Sequence, residues 1–540
     1  MEEAASVWSP LRSRIFFAVW TASIASNIGT WIQSIGEKWQ MAHLSSSPLL
    51  IALIETGTTL PVLFLGLAAG AFADILDRRR LLIATQLFML VVASALAILT
   101  FANLISPALL LAMSLLIGIG SALSMPAFQA IIPELLPRRE LTAGVTLNSA
   151  GFNLSRAIGP AIGGAVVGWF GAGWAFAMNA ASFLAVVAVL VRWNRKELHS
   201  GGLPTERFLG ALRVGFRYAR HSKEFTVILL RTVGYVWFSG VIFSLLPALA
   251  LHDLRLSSER FGLLMGCVGA GAVAAMFLMP RFRDRFTANQ LLAFFTLLDV
   301  AAQAVIAFIP HAGVVAVCLF VAGTTWMAVL TTLNTAIQLS VPAWVKARAF
   351  GAYQMVWGGS MALGAAFWGI VAQHFGIRLA FAASAAGMLV TLALIGRMHL
   401  TAFDEELDLS PHSEGAHPPS TLPMDAGPLL VVSNYEIAKE DRDAFLEAMR
   451  EVRALRMRDG ALRWSLYEDS EPAENGHLRF IESFLSESMG EHLRQHHRAT
   501  AADRAVLGRA YRLDPAGRPR TRHLIAVGDQ NEGVLQRMFA

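Results

Sequence analysis

Cysteine is nearly missing from this 540-residue chain. Only Cys267 and Cys318 occur; both sit inside apolar runs, so neither a disulfide framework nor a cysteine-based zinc site is available. Charge is scarce as well. Asp, Glu, Lys and Arg make up 15% of the residues against 55% hydrophobic, too little polar surface to clothe the several soluble domains this length would otherwise suggest. The pattern Gly-x-x-x-x-Gly-Lys-Ser/Thr is absent, which removes a phosphate-cradling loop and argues against ATP as an energy source. No cleavage site follows the first apolar run, which reads as a retained anchor and not as a leader.

What charge there is lies unevenly. Residues 401–540 hold 24 of the 39 acids and 17 of the 44 bases, so the first 400 residues are strongly basic and the tail is slightly acidic. The bases of the body come in short clusters between apolar runs. That distribution suits loops facing an anionic membrane leaflet and argues against a nucleic-acid partner.

About 20 apolar residues in helical form cross a bilayer. Runs of that kind fall near 15–42, 49–73, 81–102, 107–132, 144–168 and 173–193, then 225–250, 260–280, 288–309, 313–340, 350–374 and 378–397. The sequence therefore predicts an all-α membrane protein of twelve transmembrane helices in two pseudo-symmetric six-helix bundles, 10–193 and 224–400, joined by a connector at 194–223. In that connector Phe208, Leu212, Phe216 and Ala219 share one face and Arg213, Arg217 and Arg220 another, as in a helix lying on a membrane surface. Lys and Arg are concentrated in alternate loops, twenty against the three of Arg255, Arg260 and Arg378. This places both termini and the connector in the cytoplasm, with the chain a multi-pass protein of a bacterial cytoplasmic membrane. The halves also echo each other: Gln129 to Pro133 followed by Arg138 and Arg139 resembles Gln338 to Pro342 followed by Lys346 and Arg348, and Gly144 and Gly151 match Gly351 and Gly358. Duplicated halves around a midplane site are an architecture for alternating access.

Between the second and third runs stands Gly70-Ala-Phe-Ala-Asp74-Ile-Leu-Asp77-Arg78-Arg79-Arg80. Its Gly-x-x-x-Asp-x-x-x-Arg-Arg pattern resembles the signature loop of major facilitator superfamily transporters, and the resemblance covers roughly residues 10–400. Asp77 departs from the glycine usual there, which is similar to a branch of bacterial exporters related to enterobactin and macrolide efflux carriers. The resemblance implies that Asp74 caps a neighbouring helix end and pairs with an Arg, latching the cytoplasmic side; a carboxylate at a helix N-terminus and a bidentate Arg give that latch its strength. In the fifth run, Ser155-Arg156-Ala-Ile-Gly159-Pro160-Ala-Ile-Gly163-Gly164 resembles the core of the antiporter motif of proton-coupled drug exporters, with Ser155 in place of its first glycine. Small residues at this spacing let helix backbones touch.

Charges inside the bilayer are expensive and mark function or a structural ion pair. Arg156 lies near the middle of its run and carries either a buried pair or a coupling or substrate-binding role. Ser23, Asn27, Thr30, Ser34 and Glu37 share one face of the first run. Glu37 is a candidate proton site, or is neutralised by adjacent Lys38. Glu55 and Asp299 are the other candidates for proton coupling, Glu55 near the outer end and Asp299 central beside Gln303. By the same resemblance the first, fourth, seventh and tenth runs line a central cavity, with Asn27, Trp31, Gln129, Arg231, Tyr235, Trp237, Trp326, Asn334 and Gln338 as candidate contacts. Amides and aromatics suit a large amphipathic molecule.

Residues 401–427 carry Pro411, Pro418, Pro419 and Pro423 and read as a linker. Beyond it, 428–528 alternates with period two and then with helical period: strands at 429–437, 462–467, 478–484 and 522–527, helices at 440–458, 486–496 and 501–511. The order fits a small α+β ferredoxin-like domain. It is similar to the dimeric domain of antibiotic-biosynthesis monooxygenases, which implies possible self-association through this tail. His492 and His496 share a helix face without a third ligand in view, so no metal is expected, and no cofactor. The expected function is proton-coupled export of a small amphipathic molecule such as a siderophore, macrolide or drug-like compound, with the lipid bilayer and protons as partners and no enzymatic role. A membrane-anchored, cofactor-free monooxygenase-like enzyme and a non-transporting carrier-like sensor are the alternatives.

Overall fold

A computed structural model describes residues 8–193, 222–309, 311–341, 346–398, 400, 427–471, 473, 476–498 and 501–525. The connector helix and the Pro-rich linker fall outside them. The chain forms two compact units: a larger helical one built from Met1–Thr205, Val227–Thr335 and Phe350–Leu400, and a smaller one that includes Thr401–Ala540.

Among the described residues the body contains α1 (Arg14–Leu44), α2 (Pro48–Ile75), α3 (Arg78–Phe101), α4 (Pro107–Leu135), α5 (Leu141–Phe170), α6 (Ala172–Arg192), α7 (Lys223–Ala248), α8 (Ser258–Arg283), α9 (Ala288–Phe308), α10 (Ala312–Ser340), α11 (Lys346–Phe375) and α12 (Ile377–Ile395). Eleven helices are long and apolar enough to cross a membrane. The long helix outside that set is α5, whose apolar run is broken by Asn148, Asn153, Ser155 and Arg156. Phe64, Trp169, Leu263, Phe277 and Phe308 are each at least 70% exposed. Side chains of that size need an apolar solvent around them.

Local chemistry sets the helix starts. The side chains of Ser13, Asp77, Ser106 and Thr287 accept the backbone N–H three residues on, at the heads of α1, α3, α4 and α9. Single glycines join α5 to α6 and α11 to α12. Gly171 (φ 88°) and Gly376 (φ 89°) turn the chain in the left-handed region that a side chain disfavours.

The helices pack in repeating relations. Asn179 Nδ2 donates to Gln33 Oε1 between α6 and α1, and Ser384 Oγ donates to Phe238 O between α12 and α7; both pairs are 146 residues apart. Ser155 Oγ reaches Ile24 O from α5, and Trp368 Nε1 reaches Trp237 O from α11, each across 131 residues. A Cβ on Gly118 of α4 would meet the carbonyls of Gly57 and Thr58 in α2, and one on Gly323 of α10 would meet Val268 in α8. Small residues thus seat α2 on α4 and α8 on α10 alike.

Contacts between the first six helices and the second six run along two seams. On α5 and α8, a Cβ on Gly164 would stand 2.5 Å from Gly262 Cα. On α2 and α11, Thr56 Oγ1 donates to Ala362 O at 2.8 Å, Gly358 faces Val62, and Ser47 Oγ donates to Gln373 Oε1 at 2.8 Å. Trp39 of α1 also stacks on Phe261 of α8 at 4.5 Å. Trp39, Ser47, Phe261 and Gln373 all lie at the end of the body away from the arginines of 78–80, 192 and 281–283. That arginine-rich end is the basic end of the body.

The C-terminal domain has β1 (Leu429–Ile437), α13 (Arg442–Asp459), β2 (Arg463–Glu468), β3 (Leu478–Ser486), α14 (Met489–Arg498), α15 (Ala501–Arg512) and β4 (Arg520–Ile525). The strands form one antiparallel sheet in the order β2-β3-β1-β4. Burial alternates along β1, and Tyr435, Ile437 and Phe480 pack with Phe445, Met449, Val452 and Leu507 of the helices. The last strand begins two residues earlier than its sequence pattern predicts, pairing Arg520 with Asn434.

Candidate functional site

A buried charged cluster lies in the first six helices. Glu37, Lys38 and Glu55 are 1%, 5% and 8% exposed. Lys38 forms its ion pair with Glu55 of α2. Glu37, on the adjacent position, points a different way and accepts from Gln33 Nε2 at 2.6 Å and from Ser114 Oγ of α4 at 2.9 Å. Asn179 of α6 holds Gln33, and Ser182 holds Asn179. Lys38 directs its ion pair to Glu55 and not to its neighbour Glu37, because consecutive residues on a helix diverge by about 100°; Glu55 is nearly closed to water. Two carboxylates share one ammonium in a site that excludes solvent, so the cluster is neutral only when one acid carries a proton. Gln33, Ser114 and Asn179 escape a sequence reading, since a neutral polar residue inside an apolar run has no local signature.

A second buried acid stands in the last six helices. Asp299 of α9 is fully enclosed, with Tyr235 and Ser239 of α7, Thr325 of α10 and Gln303 around its carboxylate. Gln303 Nε2 lies 3.4 Å from Asp299 Oδ2. All the partners are neutral.

At the basic end the signature loop is held three ways. Asp77 Oδ1 accepts the Arg80 N–H at 2.8 Å and caps α3. Arg78 pairs with Glu134 of α4 at 3.1 Å, and Arg79 donates to Leu190 O and Val191 O at the C-terminal end of α6 at 2.7 and 2.8 Å. A guanidinium on terminal helix carbonyls also meets the negative end of the helix dipole. The cap explains why an aspartate serves where glycine is usual. Glu134 was not singled out in the sequence. Gly70 and Asp74 sit in the last turns of α2, and their side-chain surroundings fall outside the described residues.

The α5 motif is a packing surface on two sides. Gly159 rests on Trp31 and Gly163 on the Ile32 backbone of α1, while Gly164 meets Gly262 of α8; Pro160 is buried between them. Arg156 forms no ion pair among the described residues. Its Nε is enclosed without a hydrogen-bond partner, and the phenol of Tyr353 on α11 is the titratable group that it feels.

The cavity candidates divide. Trp31 packs on α5. Tyr235 and Trp326 are buried together, ring centroids 6.0 Å apart, with Phe243 4.6 Å from Trp326. Arg231 donates to Met398 O at 2.7 Å and, with Tyr235 and Thr296, lines a pocket among α7, α9, α10 and α12. Asn27 and Asn334 are half-buried, whereas Gln129 and Gln338 are exposed. In the tail, His492 meets His523 of β4, Nε2 to Nε2 at 3.0 Å, and the side chain of His496 is outside the described residues. Glu482 is fully buried and accepts from Tyr435, Arg456 and Trp464 at 2.9, 3.1 and 3.0 Å. Burial pulls the Arg456 guanidinium down, but Glu482, Tyr511 and Tyr435 outweigh it and raise its pKa above the ordinary range.

Known proteins resemble much of this chain. The chain is 28% identical over 262 residues to the staphyloferrin A transporter of Staphylococcus aureus, covering 47% of this chain and 64% of that one. It thus spans just under two thirds of that relative's length. It is 25% identical over 387 residues to the multidrug efflux pump Tap of Mycolicibacterium fortuitum, covering 68% and 92%. Its fold matches a crystal structure of a bacterial homologue of the human lysosomal transporter Spinster, in an inward-facing and unoccupied conformation, with a TM-score of 0.58 at 16% identity over 73% of this chain and 98% of that one. These are named as transporters, an efflux pump or a transporter homologue. Residues 5–531 match the family described as transmembrane secretion effector, and the chain belongs to that family of major facilitator superfamily transporters.

Proposed function

We propose that this protein exports a small amphipathic molecule, in the class of siderophores, macrolides and drug-like compounds, driven by protons entering through the Glu37 cluster. Twelve helices cross the membrane, α5 included, as two six-helix bundles that rock about the α5–α8 and α2–α11 seams. The matched hydrogen bonds at 146 and 131 residues and the paired joints at Gly171 and Gly376 support the duplication. The arginines of the basic end favour the cytoplasm for that side and for both termini, as the positive-inside rule requires. With the opposite end held by Trp39 on Phe261 and Ser47 on Gln373, the conformation is read as inward-facing.

The observation that carries the proton coupling is the charge deficit at Glu37. Among the described residues its carboxylate touches only neutral donors while Lys38 serves Glu55, so a proton gained or lost there changes the charge of a sealed site. The C-terminal ferredoxin-like domain is an appended module, dimerising if it acts like the domains it resembles, and export does not depend on it.

The test uses inside-out vesicles with an imposed pH gradient and metabolite profiling of what accumulates. The wild type accumulates a substrate and dissipates the gradient with it. Glu37→Gln, close in shape, keeps downhill exchange and loses gradient-driven accumulation. Deleting residues 401–540 leaves accumulation intact. Full uphill transport by Glu37→Gln refutes the coupling assignment, and activity that vanishes with the tail favours an enzyme.

A further inference from the structure

Arg156 combines three properties. It lies halfway along α5 with protein on every side, yet it keeps accessible surface. A group deep in the body that still has open surface is part of a cavity wall. Among the described residues it also lacks an anion: Lys38 has Glu55, Arg78 has Glu134 and Arg79 has the α6 carbonyls, whereas Arg156 has the neutral phenol of Tyr353 and an enclosed Nε without an acceptor.

Its direction follows from the helix. Ser155, Gly159 and Gly163 of α5 face α1, and Gly164 faces α8, so Arg156 stands on the flank turned toward the second six helices, where Tyr353 of α11 is. Helical side chains tilt toward the helix N-terminus, here the basic end, which lowers the guanidinium toward the depth of Tyr353. A guanidinium with an enclosed, unpartnered Nε calls for an acceptor, and its planar fork fits a carboxylate, phosphate or sulfonate bidentately. Nearby Trp31, packed against Gly159 one turn on, offers an aromatic face.

We infer that Arg156 is the anion-recognition residue of the central cavity, and that the molecules carried are amphipathic anions. This deepens the exporter reading, on which it rests for transport but not for binding. A soluble anion and an anionic lipid headgroup share the chemistry.

Two dyes with one xanthene core decide it: fluorescein, an anion, and rhodamine 123, a cation. Binding is read by fluorescence anisotropy on the purified full chain. The wild type binds fluorescein saturably and at least tenfold tighter than rhodamine 123. Arg156→Gln loses tenfold or more for fluorescein and nothing for rhodamine 123, and Arg156→Lys falls between, because a point charge replaces the fork. Should Arg156→Gln not fold, the wild type alone still decides: 2-naphthalenesulfonate displaces fluorescein and 2-naphthol at the same concentration does not. Displacement by phosphatidylglycerol in mixed micelles, but not by the sulfonate, identifies a lipid site and overturns the substrate assignment. Equal affinity for the two dyes, no saturable fluorescein binding, or fluorescein binding indifferent to Arg156→Gln overturns the anion site itself. Anion binding without gradient-driven accumulation sinks the exporter reading alone; rhodamine 123 export that ignores Arg156→Gln sinks the anion reading alone.

Discussion

Methionine in place of Lys38 removes one charge from the buried cluster of the first six helices and leaves most of the side-chain volume behind. Lys38 is the single cation facing Glu37 and Glu55 among the described residues, and all three are nearly closed to water. Without it Glu55 loses its partner in a site where water cannot replace it. Breaking one side of a buried pair costs about 3–5 kcal/mol, whereas replacing both sides with apolar groups is near neutral or stabilising by about 1–4 kcal/mol. The double variant Lys38→Met/Glu55→Leu is therefore expected to be at least as stable as the wild type, although each single change is damaging. The four proteins form a cycle with a coupling energy of about 3 kcal/mol or more, read from denaturant unfolding of the detergent-solubilised full chain by tryptophan fluorescence. Glu37 keeps Gln33 and Ser114 in the double variant, so gradient-driven accumulation should persist in vesicles. A cycle additive within about 0.5 kcal/mol, or a Lys38→Met protein as stable as the wild type, would refute the charge-balance argument.

Other consequences are open to measurement. Gly164→Ala places a Cβ 2.5 Å from Gly262 Cα and should lower stability by about 1–3 kcal/mol through overpacking, whereas Gly266→Ala, with nothing within 4 Å, should raise it by about 0.5–1 kcal/mol; thermal scans compare them, and equal responses would contradict the seam. Glu482→Ala strands Tyr435, Arg456 and Trp464 and should destabilise the tail domain by about 3–5 kcal/mol, seen as protease sensitivity confined to residues after 427. Burial holds His523 below its ordinary value of 6.5, so the unfolded chain takes up the proton first. The stability this group gives is present above pH 6.5 and fades as pH falls through the lower folded value. Hydrogen exchange in β4 of the full chain should accelerate over that window, and His523→Gln should flatten the dependence.

Much of the body is legible because bilayer thickness imposes a length that short-range chemistry cannot disguise. The apolar runs predict α1 to α12 to within a few residues, and the patterns from Gly70 to Arg80 and from Gly159 to Gly164 locate the signature loop and the packed helix. The partners were harder to read. Lys38 and Glu55 are 17 positions apart on different helices, and Ser114 reaches Glu37 across 77 residues; both choices are made by how helices cross, which a local pattern does not encode. Asp77 illustrates the reverse. Its role as an N-cap is a short-range matter, legible as an acid one residue before a helix, whereas the resemblance assigns the latch to Asp74. Histidines at 492 and 496 share a helical face, but the partner of His492 comes from a strand 31 residues later.

The bare backbone contact of Gly164 on Gly262 has a mechanical corollary. Interlocked leucines act like gear teeth, and one helix can roll over its neighbour only after rotamers swap. Where main chain lies on main chain there are no teeth, so a few degrees of roll need no repacking and friction along that line stays low. Such a bearing must stay narrow to work, since every added methyl is a cog, and this ties the speed of any rocking motion to the smallest side chains in the protein.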